Sequence, residues 1–307
     1  MSRSSRRLRF LGTLTVLASL AVPAVARAVE SAASAKTQFI ESKGRRIAYR
    51  SVGTGEPLIL CNRFRGILDT WDPAFLDALA KHFRVVTFDY TGTGRSTGTA
   101  TYDHLSLAND AKDVARALGY SKVVIGGWSL GGLAAQAFVL QFPEMASHAV
   151  LIGTGPYGPR RPPEPIFFER ALKPVNDLDD VTVLFFEPGS AASREAARRS
   201  EGRILQRTTD LSVPIPPELF LRLIGELQAE RNPDPHGLRA KLKATTKPIL
   251  VISGDHDISF PVEDWYELSR ELPTVQHIVF SQSGHGPQHQ FPEASAELIA
   301  AFVRTSR

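Results

Sequence analysis

A serine hydroxyl becomes a useful nucleophile when a neighbouring base takes its proton and a carboxylate orients that base. Ser129 sits in Gly126-Gly127-Trp128-Ser129-Leu130-Gly131-Gly132, which contains a G-x-S-x-G spacing. That spacing suits a sharp strand-to-helix turn. The residues two before and two after the serine, Gly127 and Gly131, must lack side chains, and the hydroxyl is held exposed at the amino end of the helix. A Gly-rich turn at an ordinary strand–helix junction is the rival reading, and the strand and helix on either side favour the catalytic one. In chains with this elbow the acid follows the serine and the histidine comes last. Two downstream loops offer them: Asp255-His256-Asp257, and Ser283-Gly284-His285-Gly286. The chemistry implied is nucleophilic attack on a carbonyl.

These residues need elements behind them. Val123–Ile125 is a short apolar run of the buried-strand kind, as are Leu58–Cys61, Val85–Phe88, Val150–Ile152, Ile249–Ile252 and Val275–Phe280. Gln38–Ser42 and Ile47–Ser51 read as a hairpin closed through Lys43-Gly44-Arg45. Helical patterns lie between them at Phe75–His82, Leu105–Leu118, Leu130–Gln141, Val262–Leu272 and Ala294–Val303. The alternation predicts an α/β fold, a mostly parallel sheet covered by helices on both faces. Residues 156–246 break the rhythm. They are rich in Pro and charge, hold helices such as Glu218–Glu230, and show no strand that must join the sheet. They are expected to form a largely helical cap over the carboxyl edge of a core made of 37–155 and 247–307. Phe167, Phe168, Phe185, Phe186, Leu219, Phe220 and Leu223 would give that cap an apolar inner face or simply its own core.

With 307 residues, 43% hydrophobic and 22% charged, the composition is globular, and disorder, collagen and disulfide-stapled mini-domains are excluded. Of 36 Lys and Arg, five lie in residues 1–28, which carry no acid, leaving 31 against 32 acidic residues beyond. The net charge of +4 therefore belongs to the amino terminus and argues for no nucleic-acid partner. Arg-rich Met1–Arg9, the 17 uncharged residues Phe10–Ala26 and Ala26-Arg27-Ala28 read as a secretion signal cleaved after residue 28. An uncleaved anchor is the alternative, but the run is shorter than the ~20 apolar residues of a spanning helix. Ser5–Leu11 resembles a twin-arginine export signal, and a single Cys61 permits no internal disulfide. The expectation is an exported protein, periplasmic or secreted, with no stable membrane insertion after cleavage and a flexible leader over residues 29–36. His82, His104, His148, His236 and His256 lack metal-site partner spacing, so no metal or other cofactor is expected.

Taken together the chain resembles the α/β-hydrolase superfamily over nearly all of its mature length. The elbow matches. Asp89-Tyr90-Thr91-Gly92-Thr93-Gly94-Arg95-Ser96 is similar to the family's D-x-R-G-x-G-x-S stretch, with Thr91 in place of Arg. Gly254–Asp257 is similar to its G-x-x-D acid loop and Gly284-His285 to its terminal G-H. The resemblance implies Ser129 as nucleophile, Asp257 as acid and His285 as base, with Asp255 bonding within its loop. His277 falls in a strand and reads as structural, and His289 reads as a solvated residue near a helix, with a place in the pocket lining as the alternative. An oxyanion hole needs two backbone N–H groups. Leu130 supplies one. The second is matched to Phe64 in Asn62-Arg63-Phe64-Arg65-Gly66, although Arg63 stands where relatives carry a Gly that takes positive φ at little cost, so Arg63 or Phe64 could serve. Arg63, Arg65 and Trp128 are candidate substrate contacts. The alternative for the two Arg is salt bridging to Asp69, Asp72 or the cap.

The function so implied is hydrolysis of a small-molecule carboxylic ester or lactone through an acyl-enzyme. Serine at position 129 argues against the dehalogenase and epoxide-hydrolase branches, which would require Asp there. A non-catalytic small-molecule-binding protein on the same scaffold, or a cofactor-free perhydrolase or acyltransferase, stays open.

Overall fold

The computed structural model describes residues 31–229 and 234–306. The expected signal 1–28 and the last residue of the expected helix Glu218–Glu230 lie outside them. Eight strands form one sheet: β1 (Gln38–Ser42), β2 (Arg45–Val52), β3 (Glu56–Cys61), β4 (Phe83–Phe88), β5 (Val123–Trp128), β6 (Ala146–Ile152), β7 (Ile249–Gly254) and β8 (Val275–Phe280). Their spatial order is β1-β2-β4-β3-β5-β6-β7-β8, with β2 antiparallel to both neighbours and every pairing from β4 to β8 parallel.

Alternation along the strands decides what each face packs against. Leu58 and Leu60 of β3 join Phe75 and Leu79 of α1 (Pro73–Ala80) and Ile299 and Val303 of the helix Pro292–Thr305. Ile59 and Cys61 face the other way, onto Leu107, Ala111 and Val114 of α2 (His104–Ala117) and Leu133, Ala137 and Phe138 of α3 (Leu130–Gln141). Each such aliphatic side chain contributes about 1.5–3 kcal/mol by leaving water. A one-residue register slip would exchange the two faces, so these contacts fix the register. Asp72 starts α1 by accepting from the Ala74 N–H at 2.9 Å, and Pro73 occupies the first turn, where its missing N–H costs nothing.

The chain winds from β3 outward to β4 and then back past β3 to β5. The carboxyl ends of β3 and β5 therefore flank a topological switch point, where open α/β sheets bind ligands. Cys61 pairs with Gly127 across it, so the loop after β3 begins beside the turn that carries Ser129. Between β6 and β7 lie α4 (Pro165–Ala171), α5 (Leu178–Phe185), α6 (Ala191–Ile204), α7 (Pro217–Ala229) and α8 (Leu238–Ala244). No strand occurs among the described residues of this insertion. Leu238 and Leu242 of α8 are buried in the same cluster as α3, so the end of the insertion packs against the sheet's own helix layer.

The expected flexible leader is corrected for residues 31–35. Ser31 Oγ donates to Asp77 at 2.8 Å, and Ala32 N–H donates to the same carboxylate at 2.6 Å. Arg207 Nη2 donates to the carbonyls of Ala32 and Ala35, each at 2.8 Å. A small-residue segment leaves its backbone groups bare, and a carboxylate on α1 and a guanidinium from the insertion satisfy them. Among the described residues no helix is long and apolar enough to cross a membrane.

Candidate active site

Ser129 follows β5 and precedes α3 with φ 60° and ψ −120°. A side chain bearing a Cβ is strained there by about 1–3 kcal/mol, so the surroundings must hold it. Ser129 N–H donates to Ile152 O at 2.9 Å, while its carbonyl accepts from Gly132 and Leu133. The two glycines are dictated by space. A Cβ on Gly127 would lie 2.0 Å from Gly131 O, and one on Gly131 would lie 2.1 Å from Cys61 O. The hydroxyl makes no helix-capping bond, and Ser129 is 4% exposed.

β7 and β8 deliver the other two groups. Asp257 Oδ2 lies 2.8 Å from His285 Nδ1, and both side chains are buried. Oδ1 of the same carboxylate accepts from the Ser259 and Phe260 amides at 2.8 and 2.9 Å, which fixes its plane. A carboxylate at Nδ1 keeps the ring proton there and leaves Nε2 as an acceptor. His285 and Ser129 line one cleft together with Arg63, Phe64, Arg65, Phe167 and Phe185. Asp255 is placed elsewhere: its carboxylate pairs with His256 Nδ1 at 2.6 Å within its own loop and also accepts from Ser283 N–H, joining the two loops.

The His285 ring is held between flat neighbours. Phe260 stacks at 5.7 Å between centroids and Phe185, at the end of α5, at 6.2 Å. Gly286 N–H donates to Phe185 O at 2.7 Å, so the insertion braces the histidine loop directly. Phe260 escaped the sequence reading; its only signal was its place three residues after the acid. Trp128 requires a correction. It was a candidate substrate contact, but it is 1% exposed and its indole N–H donates to His285 O at 2.7 Å. It braces His285 instead of touching the cleft.

The loop after β3 is pinned at several points. Asn62 Nδ2 donates to Phe88 O, Trp71 Nε1 donates to Asn62 Oδ1, and Tyr90 OH donates to Asn62 O. Asp89, from the D-x-x-G-x-G-x-S stretch, accepts from Leu68 N–H and Ser212 Oγ. Thr91, where relatives carry Arg, bonds Asp110, and the guanidinium that bridges Asp110 and Asp113 comes from Arg45 of β2. Left-handed backbone falls on Arg65 (φ 57°), not on Arg63, so the side chain at 63 carries no such strain. Among the described residues the amides of Arg63, Phe64 and Leu130 donate to no protein acceptor.

The cations at this site have separate fates. Asp69 pairs with Arg50, and Asp72 with Arg203 of α6 at 2.5 Å. Arg65 donates to the carbonyls of Ala171, Lys173 and Pro174 and to Asn176 Oδ1, so its guanidinium ties the loop to the insertion. Arg63 instead lies over the rings of Trp128 (5.2 Å) and Phe185 (4.6 Å) and donates once, to Phe64 O. Burial, with Arg65 adding to it, pulls its pKa down to about 10, so it stays charged at neutral pH. Among the described residues one carboxylate group could share a cation, Asp177, Asp179 and Asp180, and Asp180 is already bonded by Arg170 and Lys173.

His289 is likewise not solvated, as had been expected, but buried against Trp128 at 4.7 Å between ring centroids. Its Nε2 accepts from Asp72 N–H at 3.2 Å, which requires an unprotonated nitrogen. Burial pushes its pKa down to about 4 despite the opposing charge of Asp72. The unfolded chain takes up that proton near pH 6.5 and the folded protein only near 4. Stability attached to His289 is therefore complete above about pH 6.5 and is lost as pH falls towards 4. Thermal unfolding between pH 7.5 and 4 should show a falling Tm in the native protein and a shallower fall in His289→Gln. Parallel slopes would remove His289 from the account.

A family described as alpha/beta hydrolase fold matches residues 56–292. A pimeloyl-[acyl-carrier protein] methyl ester esterase of Vibrio campbellii is 27% identical, over 83% of this chain and 97% of its own. An alpha/beta hydrolase fold protein from Chitinophaga pinensis superimposes with a TM-score of 0.76 at 26% identity, over 90% of this chain and 100% of its own. A thermophilic esterase of Thermogutta terrifontis, solved with malate bound, gives 0.64 at 25% identity, over 89% and 99%.

Proposed function

We propose that this chain, which belongs to the α/β-hydrolase fold family, is a serine hydrolase of small carboxylic esters or lactones. Family membership and the esterases among its relatives support a hydrolase. The observation that carries the finer reading is the buried Asp257–His285 pair at 2.8 Å, opening on the same cleft as a serine held at φ 60°. His285 Nε2 takes the Ser129 proton as Oγ attacks the carbonyl. The tetrahedral oxyanion is received by the Leu130 and Phe64 amides, which have no protein acceptor of their own. The imidazolium, stabilised by Asp257, returns the proton to the leaving alcohol. Water, deprotonated by the same nitrogen, then releases the acid and regenerates Ser129. Residues 156–246 serve as the cap, and export guided by residues 1–28 would place this activity in the periplasm or outside the cell.

The test is turnover of p-nitrophenyl esters from acetate to decanoate by the purified protein, with peptide mapping after a phosphonate probe. Turnover should be highest for short acyl chains, because Phe64, Phe167, Leu184 and Phe185 crowd the cleft around Ser129, and the adduct should map to Ser129. Absence of both turnover and adduct would shift the reading to a ligand-binding protein.

A further inference from the structure

We propose that Arg63 is a carboxylate-binding residue of the cleft, so that the substrate is an ester carrying a second, ionised carboxylate a few bonds from its scissile carbonyl. This inference rests on the serine-ester reading and narrows its substrate class.

The other cations around the switch point are spent on the protein itself: Arg50 on Asp69, Arg203 on Asp72, and Arg65 on four acceptors in the insertion. Arg63 lines the cleft with Ser129 and His285. A guanidinium has five N–H donors, and this one makes a single hydrogen bond, to Phe64 O at 2.7 Å. Its Nε is buried with no acceptor. Among the described residues no carboxylate lies within ion-pair distance of it, and Glu201 of α6 acts on it only at longer range. A buried cation without an anion is costly to hold. Here the rings of Trp128 and Phe185 support it and fix its position before any ligand arrives. A planar, preorganised, under-bonded guanidinium beside a nucleophile is matched by a carboxylate, which accepts two parallel N–H bonds at once. Arg63 directly precedes the Phe64 amide, so the carboxylate it binds must lie close to the reacting carbonyl in the chain of the substrate.

Monomethyl glutarate and methyl valerate have acyl chains of equal length and differ in the terminal carboxylate. Methanol release from each is measured with the native protein, Arg63→Met and Arg63→Lys. The native protein should prefer the hemiester by about tenfold or more in kcat/KM. Arg63→Met should lower that preference by about 10- to 100-fold, as expected for loss of a charge-assisted bond, and Arg63→Lys should restore part of it. An equal fall on both esters would overturn the inference, because Arg63 would then act only through the shape of the oxyanion loop. A second arm compares 4-carboxyphenyl butyrate with its carboxyl methyl ester, which places the charge on the leaving group and tells which side of the ester faces Arg63. A preference in neither arm overturns the inference. Methyl valerate turnover that survives Ser129→Ala would sink the serine reading itself, whereas Ser129-dependent turnover indifferent to Arg63 sinks this inference alone. If no ester is turned over, calorimetry decides: glutarate should bind, glutaramide should not, and Arg63→Met should abolish the difference.

Discussion

Ser129→Ala should remove ester turnover, with kcat falling by about 10⁴- to 10⁶-fold, the scale seen when the nucleophile of a serine triad is deleted. The change is severe because no other group on the cleft can replace Oγ. A small residue of activity survives from binding and from the Leu130 and Phe64 amides, which the substitution leaves in place. The fold should not suffer. Alanine meets the same φ of 60° as serine, the pinning bonds are made by the backbone N–H and carbonyl of residue 129, and the hydroxyl caps nothing. Unfolding free energy should stay within about 0.5 kcal/mol, so lost activity reports chemistry. Active-site-titrated kcat and a phosphonate labelling assay check it. Retention of more than a few per cent of turnover would remove Ser129 from the mechanism.

Asp257→Asn should cost about 10⁴-fold in kcat, while Asp255→Asn should cost no more than a few-fold. The contrast separates two carboxylates only two residues apart. In Asp257→Asn the amide oxygen can still accept from Ser259 and Phe260 N–H, so the loop keeps its shape. The amide nitrogen then faces His285 Nδ1 and donates to it, which drives the ring proton to Nε2. The histidine is present but carries its proton on the atom that must accept one. Asp255 faces the half-exposed His256 and the Ser283 amide, and touches neither Ser129 nor His285. Kinetics with p-nitrophenyl butyrate across pH 5–9 distinguish the variants. Equal losses in both would mean that the two acids act together on the loop and that Asp257 has no private role.

Much of this was legible in the chain. Apolar runs announced the parallel strands because burial on both faces leaves no polar alternation to obscure them. The elbow was legible because its constraint is local: a side chain two residues from Ser129 would meet the backbone of Gly131 or Cys61 at about 2 Å. The order of acid and base followed from the arrangement found in chains with this elbow, and both loops leave the sheet edge that carries the turn. Asp257 was chosen over Asp255 by likeness to a family spacing, and the pair at 2.8 Å supplies the physical reason.

What the sequence could not decide was which partner each polar group would find. Arg63 and Arg65 are near-identical as text. Arg65 turns, at φ 57°, towards carbonyls more than a hundred positions away on the insertion, and Arg63 turns into the cleft over two aromatic rings. Trp128 sits beside Ser129 in sequence yet spends its indole N–H on His285, 157 positions on. His289 looked solvated and is buried because Asp72, at the start of α1, and Trp128, at the end of β5, close over it. Backbone conformation and strand burial are set by neighbours a few residues apart, so the sequence alone determined the fold class and the glycine-flanked turn at Ser129. Pairing among side chains depends on which distant segments the folded chain brings together, so only the tertiary structure decided that Arg65 is tied to the insertion and that Arg63 lines the cleft without an ion-pair partner among the described residues.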